Sequence, residues 1–247
     1  MGMKVNAGGD AKRRTVAARS GARYVALRRS MALALGALVL AAPSVRATSD
    51  AELATNARLL ASARSEDAAG VVRALHDGAA VDSRNRLGET SLLVALKKNR
   101  PDIAQALIDA GADVNLPAIN GVTPLMAAAY AGQAVIAETL VARGADVRAT
   151  DRVGKNAITY AAGEGHTDVV RLLLRHGVDP NAAYRNNLTA LMWAAGYGHA
   201  ETVRALIMAG ARIDLVDNRG KSALDMAREF KHAETVQALE EAQRRVH

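Results

Sequence analysis

The chain has 247 residues; half are apolar, 3% are aromatic and none is cysteine. The apolar set is mostly Ala, Leu and Val, which suits closely packed small helices better than a β-sandwich or barrel built on β-branched and aromatic side chains. The missing cysteines exclude a disulfide scaffold, a thiolate zinc site and a cysteine nucleophile, and the net charge of +7 raises nucleic-acid binding only until its placement is read.

That charge sits in the first 47 residues. They hold nine bases, among them the Arg28-Arg29 pair, against one acid, Asp10, leaving 23 bases and 24 acids for residues 48–247. A near-neutral main body argues against nucleic acid as the partner. After Arg29 runs an uncharged stretch, Ser30 to Val45, with the twelve-residue apolar heart Met31–Ala42. Twelve residues are too few to span a bilayer as a helix, which needs about 20, but they match the apolar core of a secretory signal. Pro43 ends that core, and Val45-Arg46-Ala47 puts small residues at the −3 and −1 positions of a cleavage site. Residues 1–47 are therefore expected to be a basic leader and signal peptide cut after Ala47, delivering a periplasmic or secreted protein with no stable membrane anchor after cleavage. Uncleaved retention as an anchor is the alternative. The segment before the apolar core is long. Either the arginine pair serves a twin-arginine route, or translation starts later, for example at Val25, with ordinary export.

Beyond the leader the chain repeats itself. One motif reads Gly88-Glu-Thr-Ser-Leu92, Gly121-Val-Thr-Pro-Leu125, Gly154-Lys-Asn-Ala-Ile158, Asn187-Leu-Thr-Ala-Leu191 and Gly220-Lys-Ser-Ala-Leu224, with starts 33 residues apart. A second keeps the same beat: Gly78-Ala-Ala-Val-Asp82, Gly111-Ala-Asp-Val-Asn115, Gly144-Ala-Asp-Val-Arg148, Gly177-Val-Asp-Pro-Asn181 and Gly210-Ala-Arg-Ile-Asp214. Two linked motifs in five registers without an insertion mark a solenoid. Within one unit, Thr189 is placed to cap a helix over Ala190–Tyr197, Gly198-His199 turns the chain, and a second helix over Ala200–Met208 aligns Val203, Leu206 and Ile207 on one stripe. Gly210 supplies a left-handed helix end, and Asn187 stands where the other units carry the finger glycine, since Asn best tolerates that backbone region.

These motifs resemble the ankyrin-repeat family over residues 50–247, in the manner of an exported bacterial member. Gly121-Val-Thr-Pro-Leu-Met-Ala-Ala-Ala129 is close to the family's Gly-x-Thr-Pro-Leu-His-x-Ala-Ala, and Gly111-Ala-Asp-Val-Asn115 equals its loop. The resemblance implies an all-α solenoid of helix-turn-helix units with β-turn fingers, about six 33-residue repeats including two caps: an N-terminal capping repeat over 48–87, four repeats over 88–219 and a C-terminal cap over 220–247. The family's histidine after the leucine is replaced by Leu93, Met126, Thr159, Met192 and Asp225, and its proline survives only as Pro124; these changes are expected to loosen the helix starts. The outward apolar position of the second helix runs Leu75, Ile108, Val141, Leu174, Ile207 and then Glu240, so the last unit is built to face water, as the ends of repeat arrays must. Capped ends favour a monomer.

No catalytic, cofactor or metal site is expected. His166, His199 and His232 recur every 33 residues because the fold recurs; ligands of one zinc lie about 2.1 Å from it, whereas stacked repeats stand about 8–10 Å apart. Asp113, Asp146 and Asp179 are read as loop residues that bond nearby backbone. No glycine-rich phosphate loop or nucleophile elbow occurs. What remains is surface. Solenoids bind through their concave face, which the resemblance assigns to finger tips and inner helices. By register, the tips carry Arg86, Arg152, Lys155, Arg185, Arg219 and Lys221. The inner helices carry Lys97, Lys98, Tyr130, Glu164, Tyr197, Glu229 and Phe230, with Tyr160 and Trp193 beside them. Together with Glu89 this gives eight bases against three acids. The binding surface is assigned to Arg86, Tyr130, Arg152, Lys155, Tyr160, Arg185, Trp193, Tyr197, Arg219 and Phe230, and the partner to a protein offering an acidic segment; Tyr160 and Trp193 have packing between inner helices as their other reading.

The function expected is a periplasmic protein–protein interaction module or regulator. Its rivals are a cytoplasmic regulator whose basic leader is an unstructured tail, and an enzyme with an unfamiliar site. N-terminal sequencing of the protein from an exporting cell should read Thr48-Ser-Asp-Ala; an intact leader on a cytoplasmic protein would contradict export.

Overall fold

The structure is a computed structural model that describes residues 49–246; the leader and its cleavage site lie outside the described residues. Among these residues there are twelve α-helices and no β-strand, paired as α1 (Asp50–Arg64) with α2 (Ala68–His76), α3 (Ser91–Lys97) with α4 (Pro101–Asp109), α5 (Pro124–Tyr130) with α6 (Ala134–Ala142), α7 (Ala157–Gly163) with α8 (Thr167–Arg175), α9 (Ala190–Gly196) with α10 (Ala200–Met208), and α11 (Ala223–Glu229) with α12 (Ala233–Val246). The chain is an all-α repeat solenoid. None of these helices is long and apolar enough to cross a membrane.

The short first helices start at the same register. Thr90, Thr123, Asn156, Thr189 and Ser222 each accept the N–H three residues on, at 3.1–3.3 Å, removing one orphan donor per helix. The substitutions at the family's histidine position do not loosen these starts. Asp225 closes a reciprocal box on the Ser222 N–H at 2.9 Å, Thr159 does so on the Asn156 N–H at 3.0 Å, and Pro124 fits the first helical position. Buried alanines, including Ala127–Ala129, Ala161, Ala162, Ala194 and Ala195, let neighbouring first helices approach closely. These helices pack on one another more extensively than the second helices do at every seam, so the stack closes on the first-helix side.

The second helices begin without a side-chain cap from Arg100, Gln133, His166 or His199. Those side chains, and His232, reach back to the preceding unit instead. Arg100 Nη1 donates to Glu66 O at 2.5 Å, Gln133 Nε2 to Leu96 O at 3.0 Å, His166 Nε2 to Tyr130 O at 3.0 Å, His199 Nε2 to Gly163 O at 2.9 Å and His232 Nε2 to Gly196 O at 3.0 Å. A carbonyl only accepts, so Nε2 carries the hydrogen in each histidine. The imidazoles lie against left-handed glycines. A Cβ on Gly165 (φ +76°) would stand 2.5 Å from His199 Nδ1, so both conformation and space demand glycine there.

The loops between units form a second ladder. The Asp113, Asp146 and Asp179 carboxylates each accept the N–H two residues on at 2.8 Å, as their turn role requires. Asn115 links neighbours in both senses, donating to Gly144 O at 2.9 Å and accepting from Asp146 N at 2.8 Å; Asn181 repeats this with Gly210 O and Arg212 N. Arg148 holds the same register position between them and makes no such bridge among the described residues. Finger tips are likewise joined, Ile119 N to Leu87 O, Arg152 N to Asn120 O and Asn218 N to Asn186 O, with no such bond among the described residues between the third and fourth fingers. The fourth finger turns on Asn186 and Asn187, both left-handed at φ 63° and 59°.

The ends differ from the middle. Ser49 and Glu52 form a reciprocal cap on α1. On α12, Glu240 meets Arg228 at 2.7 Å with its side chain 38% exposed, so the polar end face is partly paired rather than wholly solvated. The unit bounded by Arg148 has the fewest loop-side links, and Arg148→Asn should restore them to Gly177 O and Asp179 N. It is expected to raise stability by about 1 kcal/mol in urea unfolding of the full chain; an unchanged or lower midpoint would contradict the ladder's role.

Candidate interaction surface

The third finger is organised around a buried carboxylate. Asp151 Oδ1 accepts the Val153 and Lys155 N–H groups at 2.9 and 2.8 Å, and its Oδ2 accepts the Tyr160 hydroxyl at 2.6 Å. Burial pushes the Tyr160 hydroxyl pKa well up, and donation to Asp151 adds to the shift, so Tyr160 stays a neutral donor that ties the finger to α7. Asp217 builds the last finger similarly, accepting from Arg219 N and Lys221 N. Burial pushes its carboxyl up, but bonds from Lys221 and Arg219 outweigh that and leave it below the ordinary carboxylate value.

Above these fingers the aromatics form a chain. The Tyr130 and Tyr160 rings meet edge to face at 6.1 Å. Lys155 Nζ lies 3.9 Å from the Trp193 ring centroid and 5.4 Å from that of Tyr160, a cation–π contact that fixes the ammonium at the finger base. Trp193 stacks on Tyr197 at 6.0 Å with planes 8° apart. Tyr160 and Trp193 are half-buried, whereas Tyr130, Tyr197 and Phe230 are exposed at 55%, 59% and 59%. Tyr160 thus positions the finger, and the exposed rings offer contact area. Tyr184, outside the assigned surface, accepts from the Asn156 amide through its hydroxyl.

The cations divide into two groups. Lys97 is paired with Glu89 at 2.6 Å, Lys221 with Glu229, and Arg219 with Asp217 at 2.8 Å. Burial pushes the Glu89 carboxyl up, but hydrogen bonds from Lys97 and Asn85 bring it below its ordinary value, so it is ionised at neutral pH. Arg86, Lys98, Arg152, Lys155 and Arg185 form no ion pair among the described residues. Five unpaired bases thus face one unpaired carboxylate, Glu164, and the cationic character concentrates on the first, third and fourth fingers and the end of α3. Arg152, Lys155 and Arg185 join the Tyr160–Trp193–Tyr197 stretch on one face. Arg86 stands two fingers away, and Phe230 borders the far end. Sequence register missed Leu188, Met192 and Met226, which line an open pocket with Trp193, Tyr197 and Phe230; their apolarity reads as ordinary core. The signal available was the pair of glycines at the inner-helix register that elsewhere holds Lys97 and Tyr130.

A neutral stack of helix pairs with one cationic, aromatic face is a repeat scaffold for binding other molecules. The family model described as ankyrin repeats in three copies matches residues 59–151, 117–184 and 158–245, and the chain belongs to the ankyrin-repeat family. Over 61 residues it is 43% identical to the mitochondrial disaggregases of Bos taurus and Homo sapiens, a stretch that covers 25% of this chain and 9% of each relative. The chain thus matches only a small part of the length of those relatives. Ankyrin repeats make this chain a protein–protein interaction module of a family that is typically a non-enzymatic scaffold.

Asp151→Ala leaves a half-buried phenol and two finger N–H groups without their acceptor. It should lower unfolding stability by about 2–4 kcal/mol, measured by urea denaturation; a loss below about 0.5 kcal/mol would show that Asp151 does not hold the finger.

Proposed function

We propose that this chain is exported and, as a periplasmic interaction module or regulator, binds an acidic segment of a partner protein across the face of its fingers and first helices. The observation that carries the reading is the coincidence of unpaired Arg152, Lys155 and Arg185 with the exposed rings of Tyr130 and Tyr197 on a domain whose bases and acids balance as a whole. Tyr, Trp and Arg are the side chains that anchor protein interfaces. Unpaired fingertip cations speed and orient the approach of a carboxylate-rich partner, while the half-buried rings beneath supply area that needs little further ordering. Export rests on the leader's charge, apolar core and Ala47 cleavage site. A cut after Ala47 leaves the Ser49–Glu52 cap of α1 intact.

A partner protein retained from periplasmic extract by the tagged chain should bind at least a hundredfold more weakly when Arg152, Arg185 and Tyr197 are together replaced with alanine. The three side chains are exposed, so the unfolding midpoint should stay within about 0.5 kcal/mol of wild type. Unchanged affinity in the triple variant would move the binding surface elsewhere.

A further inference from the structure

The C-terminal end of the same face holds an open pocket of about 440 Å³ between α9 and α11. Trp193 and Tyr197 wall it on one side, Met226 and Phe230 on the other, and Gly196 belongs to its lining. That volume falls within the ordinary range of ligand-holding clefts, about 300–1,000 Å³. The shape is a dimple open to solvent, suited to one inserted side chain.

Gly196 is the unexplained residue. The same register position carries Lys97, Tyr130, Gly163 and Glu229 in the other full repeats and the cap. At Gly163 a Cβ would touch Trp193 Cε3 at 3.7 Å, so the indole covers that glycine. At Gly196 a Cβ would meet nothing within 4 Å, and its φ is not left-handed. Gly196 is the last residue of α9, and neither backbone nor packing calls for glycine there. What the missing side chain does is keep the pocket open. A leucine or tyrosine in its place would fill the space between Trp193 and Phe230.

The charges beside the pocket say what kind of segment brings the side chain. Lys155 sits directly over Trp193, the pocket's own wall; Arg185 is unpaired at the adjoining fourth fingertip, Arg152 is unpaired one finger further along, and Arg219, in the lining itself, is held by Asp217. A basic occupant is repelled, which excludes the chain's own leader with its nine bases and one acid. We propose that the pocket seats one large apolar side chain, aromatic by preference, from an acidic partner segment whose carboxylates lie on Lys155, Arg152 and Arg185. This rests on the groove reading above and adds its anchor. Adjacent repeats stand about 8–10 Å apart and an extended chain advances about 3.3 Å per residue, so a carboxylate on Arg185 falls about three residues from the anchor and one on Arg152 about three further.

The test uses the full chain and three labelled twelve-residue peptides, read by fluorescence polarisation. One has a Glu-Glu pair three residues from a Phe; the second replaces Phe with Ser; the third replaces both Glu with Gln. Wild type should bind the first peptide at least tenfold more tightly than either other. Gly196→Leu should bind it at least tenfold more weakly than wild type, bind the Ser peptide as wild type does, and melt at the same or a higher temperature. Phe230→Ser, at an exposed ring, should lose the same Phe preference without filling the pocket. Arg152→Glu/Arg185→Glu should weaken both Glu-bearing peptides. Equal binding of the Phe peptide by wild type, Gly196→Leu and Phe230→Ser, with loss only in the arginine variant, would overturn the pocket and leave the groove reading standing. Equal binding by all four proteins would place it outside the assigned face and sink both. Absence of wild-type binding to the first peptide, or self-association abolished by Gly196→Leu, would also overturn the proposed occupant.

Discussion

Each seam between successive units carries a hydrogen bond from a side chain at the start of a second helix to a carbonyl at, or just beyond, the end of the preceding first helix. The end carbonyls of a helix have no partner within it, and first helices of seven residues have proportionally many. A side chain reaching back from the next unit satisfies one of these groups and sets the distance between the two units at the same time. Where that side chain is histidine, a left-handed glycine must lie against the ring, so conformation, packing and hydrogen bonding are fixed together. The regular spacing of fingers, and hence of whatever they contact, follows from this repeated link.

The fold was legible because its constraints recur. A glycine needed for a left-handed turn, a Thr, Asn or Ser needed for a cap, and an Asp needed for a loop all return every 33 residues, so each repeat checks the others. Thr189, Gly210 and Asn187 do in the structure what their residue types suggest. The reach of His166, His199 and His232 to carbonyls 36 residues earlier was not legible, because the periodicity that revealed the histidines carries no information about their partners. The helix starts are tighter than the loss of the family's histidine implies, because Thr159 and Asp225 at that position close reciprocal caps.

The surface was legible only in outline. Register placed the cations and aromatics on one face, but pairing decides which of them can meet a partner. Glu89, Glu229 and Asp217 already hold Lys97, Lys221 and Arg219, and none of these pairs lies at the helical spacing that sequence reading checks first. Tyr160 looked like contact area and is mainly the post that holds the third finger through Asp151. Gly163 and Gly196 stand out as a pair at one register, but what sets Gly196 apart is the empty space around its missing Cβ, which only the structure shows.

Trp193 is the protein's only tryptophan, and it lies between Lys155 and Tyr197 at the centre of the assigned face. Its fluorescence during titration of the full chain with the acidic, Phe-bearing peptide therefore tests the central claim most directly. The account predicts a saturable change in emission whose midpoint moves to higher peptide concentration as salt rises, because carboxylates on Lys155, Arg152 and Arg185 are screened. Saturable binding by another probe with no change in Trp193 emission, or a midpoint indifferent to salt, would contradict it.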